Sequence, residues 1–132
     1  FPTALGAKVG NPNRQVVAIS GDGGFMFAAS ELASAVQEGI NLVTLVFNNG
    51  TLGASFADQK HNFGGRVFGT KLHNPDFVKL AEAHGALGMK VSGPDELGEA
   101  LNSALRAQRP VVIEVSIPNL GPPFHIPPRP RA

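Results

Sequence analysis

Short, almost uninterrupted apolar runs alternate along this chain with stretches in which apolar residues return every three or four positions. Gln15 to Ser20, Leu42 to Phe47 and Val111 to Ile117 are runs of the first kind: the first predicts a buried strand, the second a central strand covered on both faces, and the third the last strand. Met89-Lys90-Val91 adds a shorter one. Between Phe25 and Glu38, Leu32, Ala35 and Val36 fall on one helical face, and Gly39 stands where that helix should stop. Phe77, Leu80, Ala81 and His84 share a face of a second helix, opened by Pro75-Asp76 and closed by Gly85. Leu97, Leu101 and Leu105 mark a third, from Pro94-Asp95-Glu96 to Ala107. Ahead of the first strand, Pro2 to Gly10 reads as a small-residue helix with proline in its first turn, followed by the turn cluster Asn11-Pro12-Asn13-Arg14.

The resulting order, βαβ-loop-αβαβ, predicts an α/β fold: a doubly wound parallel sheet with helices on both faces and right-handed crossovers. From Gly50 to Asn74 the periodicity lapses and glycine recurs at Gly50, Gly53, Gly64, Gly65 and Gly69. A connection of that length reads as a functional loop or lid, with a short helix near Leu52 to Gln59. Pro118, Pro122, Pro123, Pro127, Pro128 and Pro130 set off residues 118–132 as an extended tail from a domain over residues 1–117. The chain opens on Phe1 inside a helical pattern, so the expectation is a fragment whose domain is incomplete at the N-terminus.

Bulk properties narrow the classes of function. At 132 residues the chain has the length of one domain, and 42% hydrophobic with 16% charged residues is ordinary globular composition. A formal net charge of +1 gives no electrostatic reason to expect nucleic acid or an anionic membrane as partner. No apolar run is long enough for a membrane span and no basic-then-apolar leader precedes the first helix, so a cytoplasmic location is expected. With Cys 0, disulfide and thiolate chemistry are excluded.

The candidate chemistry sits at two predicted strand ends. Gly21-Asp22-Gly23-Gly24 follows the first strand, where a glycine turn into a helix points backbone N–H groups at a phosphate. Asp22 would repel such a ligand unless a divalent cation stood between them, so the turn calls for a metal–diphosphate pair. Asn48-Asn49 closes the neighbouring apolar run, and Asn49 offers a neutral oxygen at the carboxyl edge of the sheet, where open α/β sheets bind ligands.

Gly21-Asp22-Gly23 followed by Asn48-Asn49 resembles the thiamine-diphosphate-binding motif of the thiamine-dependent decarboxylases and acetolactate synthases. The resemblance extends to Phe1 through Lys8, to Glu31-Leu32-Ala33, to Asn74-Pro75-Asp76-Phe77 and to Pro110 through Val115. It implies part of the C-terminal diphosphate-binding domain of such an enzyme, with thiamine diphosphate and Mg²⁺ as cofactors. Carried over, Asp22 and Asn49 would ligate Mg²⁺ through side chains and Thr51 through its carbonyl. Gly21, Gly23, Gly24 and Phe25 would meet the diphosphate through N–H groups, with Leu52 and Gly53 approaching from the other loop. A side chain at Gly24 or Gly53 should hinder that approach.

The activating glutamate of the family lies in an N-terminal domain, usually of a partner subunit, and no residue here is its counterpart. Glu31, Glu38, Glu82, Glu96, Glu99 and Glu114 read as surface or packing positions, so catalytic residues are unassigned and the isolated chain is expected to be inactive. Ala54 and Ser55 stand where relatives line the substrate pocket; the string Asn48-Asn49-Gly50-Thr51-Leu52-Gly53-Ala54 is similar to benzoylformate decarboxylase and implies an aryl or branched 2-oxo acid. A homo-oligomer is implied for the full protein.

Three rival readings bear on the same residues. A relative that keeps the cofactor cradle without turnover would look the same over this stretch. A receiver-like module with Asp22 as phosphoacceptor leaves the double asparagine unexplained. A Rossmann dinucleotide site lacks the third spaced glycine and would set Asp22 against the pyrophosphate. Asn48 is expected to tie down its loop; His61, His73, His84 and His125 to occupy surface or helix-end positions; and Lys60, Arg66 and Lys71 to form a solvated rim.

Overall fold

A computed structural model describes residues 1–119. Its elements run α1 (Pro2–Gly10), β1 (Val17–Gly21), α2 (Asp22–Met26), α3 (Glu31–Gln37), β2 (Val43–Asn48), α4 (Gly53–Asn62), α5 (Phe77–Ala83), β3 (Leu87–Val91), α6 (Pro94–Arg106) and β4 (Val111–Ser116). The strands form one parallel sheet in the order β1-β2-β4-β3. Of the tail assigned to residues 118–132, Pro122, Pro123, Pro127, Pro128 and Pro130 lie outside the described residues.

Because strand side chains alternate, the register sorts the core into two halves. Ala18, Thr44 and Val112 share one face, and Ser20, Val46, Glu114 and Lys90 form the next row on it. That face is covered by α2, α3 and α5, with Phe25, Leu32, Phe77 and Ala81 packed around Val46 and Val112. The rings of Phe1, Phe25 and Phe77 meet edge to face, with centroids 5.6 and 5.9 Å apart. Leu5 of α1 packs beside them with Ala18, Ala35 and Leu42. On the opposite face Val43, Leu45, Val111, Ile113 and Val115 bury against Ala104, Leu97, Leu101 and Leu105 of α6. The apolar spacing of α6 therefore does what it predicts.

Two expectations need correction. The stretch from Phe25 to Glu38 is not one helix: Phe27 to Ser30 form a turn between α2 and α3. Amides of Ala28, Glu31, Leu32 and Ala33 bond carbonyls three residues back, which tightens the chain there. Gly23 and Gly24 lend α2 little intrinsic helicity, and buried Phe25, Ala29 and Leu32 hold the segment by packing instead. Second, the first strand is buried on one side only: Ala18 is buried, whereas Val17 and Ile19 are exposed, because no helix covers that side of β1 among the described residues. Of the surface and packing positions expected for the glutamates, Glu114 takes a packing one, buried within β4.

Smaller shifts concern boundaries. The first strand includes Gly21 and starts at Val17, so the glycine turn has no spacer residue between strand and helix. The short helix of the glycine-rich connection runs to Asn62.

Candidate functional site

The register that pairs Gly21 with Phe47 sets Asp22 level with Asn48 at the carboxyl edge of the sheet. Asp22 opens α2 directly, and its first-turn amides have no partners within the helix. The residue is 2% exposed. Gly50 N–H donates to its Oδ2 at 2.9 Å and Asn74 Nδ2 donates to the same oxygen at 2.6 Å. Among the described residues Oδ1 receives no hydrogen bond and no Lys or Arg pairs with Asp22. A buried carboxylate without a cation is costly, and a metal ion is one of the few ways to offset it.

The second loop is built around Gly50, whose φ of 66° is the left-handed region that favours glycine. Its N–H is shared with Asn48 Oδ1 at 3.1 Å, and Asn48 Nδ2 donates to Glu114 Oε1 at 2.8 Å. Asn48 thus ties down the loop, as expected from the sequence. Asn49 Oδ1 accepts from the Thr51 N–H at 3.0 Å and from its hydroxyl at 2.9 Å, so ligation by this oxygen would replace at least one of these bonds. Thr51 is buried and forms an antiparallel bridge with Lys71. Leu52 N–H bonds Thr70 O, and Leu72 N–H bonds Gly50 O.

The glycine-rich connection is therefore folded back on itself. Gln59 on α4 fastens it, donating to Phe68 O at 2.9 Å and accepting from Phe68 N–H at 3.1 Å and the Thr70 hydroxyl at 2.9 Å. The return brings Leu52 and Leu72 over Gly23, where a Cβ would collide with Leu52 Cδ2 and lie 3.1 Å from Leu72 Cδ1. At Gly24 and Gly53 a Cβ would meet protein atoms only at ordinary distances, 3.4 Å from Ser20 Oγ and 3.7 Å from Asn49 Nδ2. Of these three glycines the crowded one is Gly23.

Residues 1–115 match the family model described as thiamine pyrophosphate enzyme, C-terminal TPP binding domain. The chain belongs to this family. Thiamine diphosphate is its cofactor, with Mg²⁺ the standard partner of the diphosphate. Similar proteins include a probable acetolactate synthase large subunit of Methanocaldococcus jannaschii, 39% identical over 118 residues, which are 89% of this chain and 20% of that protein. An acetolactate synthase of Bacillus subtilis is 38% identical over 117 residues, again 89% of this chain and 20% of that protein. Among solved structures, a thiamine diphosphate-dependent 4-hydroxybenzoylformate decarboxylase of Rhodococcus jostii superposes with a TM-score of 0.84 at 37% identity, covering 89% of this chain and 22% of that one. The chain thus spans 20% of the curated acetolactate synthases named here.

Within the thiamine pyrophosphate domain, the sequence-predicted residues sort by contact. The Gly50 N–H is shared by Asp22 and Asn48, Gly23 lies under Leu52, and Asn49 bonds Thr51. Phe25 enters the core by its ring, leaving its backbone at the turn. Ala54 and Ser55 stand exposed on the first turn of α4 beyond Gly53. Lys60, Arg66 and Lys71 are exposed as expected, and His84 caps its helix end with Nδ1 2.9 Å from Leu80 O. His125 lies outside the described residues. No trio of His, Cys, Asp or Glu gathers as a metal cage among the described residues, so a cation at Asp22 would draw its other ligands from amide and backbone oxygens.

Sequence reasoning missed Asn74 and Glu114. Asn74 was legible only as part of Asn74-Pro75-Asp76-Phe77, the entry into α5. An acid amid the apolar run Val111–Val115 was a visible cue for Glu114, since a buried strand carries a charge only where something pairs with it.

Proposed function

We propose that this domain holds the Mg²⁺–diphosphate end of thiamine diphosphate in a 2-oxo acid decarboxylase or carboligase. The observation that carries the reading is Asp22, buried at the first-turn amides of α2 without a cationic partner among the described residues. Asp22, the Asn49 side chain and the Thr51 carbonyl would hold the ion. Backbone N–H groups of Gly21, Gly23, Gly24 and Phe25 would meet the diphosphate, and Leu52 and Gly53 would close over it. When bound, the cofactor would supply a thiazolium ring whose deprotonated carbon is nucleophilic toward a carbonyl and whose cationic ring can hold the electron pair left by loss of CO₂. This chain's part is to anchor and orient, with Ala54 and Ser55 facing the substrate.

In this reading residues 1–117 are the diphosphate-binding unit and 118–132 its tail. The activating glutamate comes from another domain of a cytoplasmic homo-oligomer. No helix among the described residues is long and apolar enough to cross a membrane. The test uses the full-length protein: cofactor retained after desalting, with and without chelator, for wild type and Asp22→Ala. Retention that depends on Mg²⁺ and is abolished by the substitution is expected. Equal retention in excess chelator overturns the metal role, and absence of CO₂ release from a panel of 2-oxo acids by cofactor-loaded wild type overturns the decarboxylase assignment.

A further inference from the structure

A chain of side chains runs from the solvent edge of the sheet to Asp22. Lys90 Nζ lies 3.1 Å from Glu114 Oε1, Asn48 Nδ2 donates to that oxygen at 2.8 Å, and Asn74 Nδ2 donates to Asn48 Oδ1 at 2.9 Å and to Asp22 Oδ2 at 2.6 Å. Its members come from β3, β4, the end of β2 and the residues before α5. The polarity of the chain is forced. Glu114 Oε1 accepts from both Lys90 and Asn48, so the Asn48 amide turns its NH₂ toward it and its oxygen toward Asn74. That oxygen and the Asp22 carboxylate then take both hydrogens of the Asn74 amide. Reversing either amide would set oxygen against oxygen at hydrogen-bond distance. Oδ2 of Asp22 is thereby committed to Asn74 and Gly50, while Oδ1 receives no hydrogen bond among the described residues.

We infer that Asn74 and Glu114 are positioning residues, which fix the Asp22 carboxylate so that Oδ1 alone faces the cation. The inference rests on the metal reading proposed above. Groups that orient a metal ligand characteristically change affinity by ~10- to 100-fold when removed. Asn74 acts directly on Asp22, whereas Glu114 acts through Asn48, so the larger effect belongs to Asn74. Lys90, more than half exposed, meets Glu114 from the solvent side and is not required to touch the site.

The experiment uses the full-length protein with thiamine diphosphate and reads the Mg²⁺ concentration giving half-maximal cofactor retention. Paramagnetic resonance of Mn²⁺ bound in place of Mg²⁺ is read in parallel. Asn74→Ser is expected to raise the metal requirement ~10-fold or more and to alter the bound Mn²⁺ spectrum, which a change in fold stability alone would leave as in wild type. Glu114→Leu is expected to raise it by about threefold, and Glu114→Gln, which still accepts from Asn48, to stay within about twofold of wild type.

If Asp22→Asn raises the requirement but Asn74→Ser and Glu114→Leu do not, the positioning roles are overturned and the metal site stands. If Asp22→Asn leaves it unchanged, the metal site itself falls. Should Asn74→Ser fail to fold, equal metal requirements in Glu114→Leu and Glu114→Gln overturn the inference.

Discussion

Gly88 on β3 packs against the backbone of Val78 on α5: a Cβ at Gly88 would lie 2.6 Å from the Val78 carbonyl oxygen and 2.8 Å from its Cα. Backbone cannot step aside as a side-chain tip can, so Gly88→Ala has to push α5 off the sheet. A destabilisation of ~1–3 kcal/mol is expected, read from the denaturant midpoint of the full-length protein. Gly98, in the middle of α6 with nothing within 4 Å of its would-be Cβ, is the control. Gly98→Ala should be neutral or stabilising by up to ~1 kcal/mol. Equal effects at both positions would refute the close-packing account.

The strands were legible because their composition allows little else: LVTLVF and VVIEVSI have to be buried on both faces, and all three long apolar runs are strands. Asp22 and Asn48-Asn49 were legible as a candidate site because both fall at strand ends, where topology alone brings them level. What the sequence hid depends on contacts across long separations. Asn74 reaches Asp22 over a gap of 52 residues, and no local pattern encodes that. The break between α2 and α3 was hidden for the opposite reason. Phe25, Ala29, Leu32 and Val36 keep helical spacing straight through a segment where the backbone turns more tightly.

Gly23 gives a prediction that separates folding from binding. Its added Cβ would meet Leu52 and Leu72 side chains rather than backbone, so the fold can accommodate Gly23→Ala at a cost of about 1 kcal/mol. The displaced leucines stand over the turn proposed to take the diphosphate. Calorimetry of full-length protein should therefore show thiamine diphosphate affinity falling ~10-fold or more while the melting transition stays cooperative. An unchanged affinity would remove Leu52 from the site.

Asp76 caps α5, accepting from the Lys79 N–H at 3.0 Å, and that bond holds its carboxyl below the ordinary value against a smaller opposing effect of desolvation; the Lys79 charge adds to the lowering. A depressed carboxyl contributes stability above its unfolded pKa and loses it as pH falls through the folded one. Wild type should therefore be more stable than Asp76→Ala near neutral pH, with the gap narrowing in acid below the ordinary aspartate range. Paired thermal melts across that range give the test, and a gap that widened on acidification would reverse the sign argued here.

Ile19 is 73% exposed and its neighbour Val17 40%, on the face of edge strand β1 that α6 does not reach, whereas Ala18 between them is buried on the other side. An apolar edge strand of this kind invites pairing with another chain. Ile19→Thr keeps β-branching for the strand and puts a hydroxyl into water, so the 132-residue chain should scatter less light at equal concentration, with stability within ~0.5 kcal/mol of wild type. Val43, paired with Val17 across the sheet and 2% exposed beneath α6, provides the contrast. Val43→Thr would bury a hydroxyl in an apolar layer and should cost ~1–3 kcal/mol. If Ile19→Thr were the more damaging of the two, β1 would have to be covered on that face by something other than the elements described, and the sheet would be closed there rather than open.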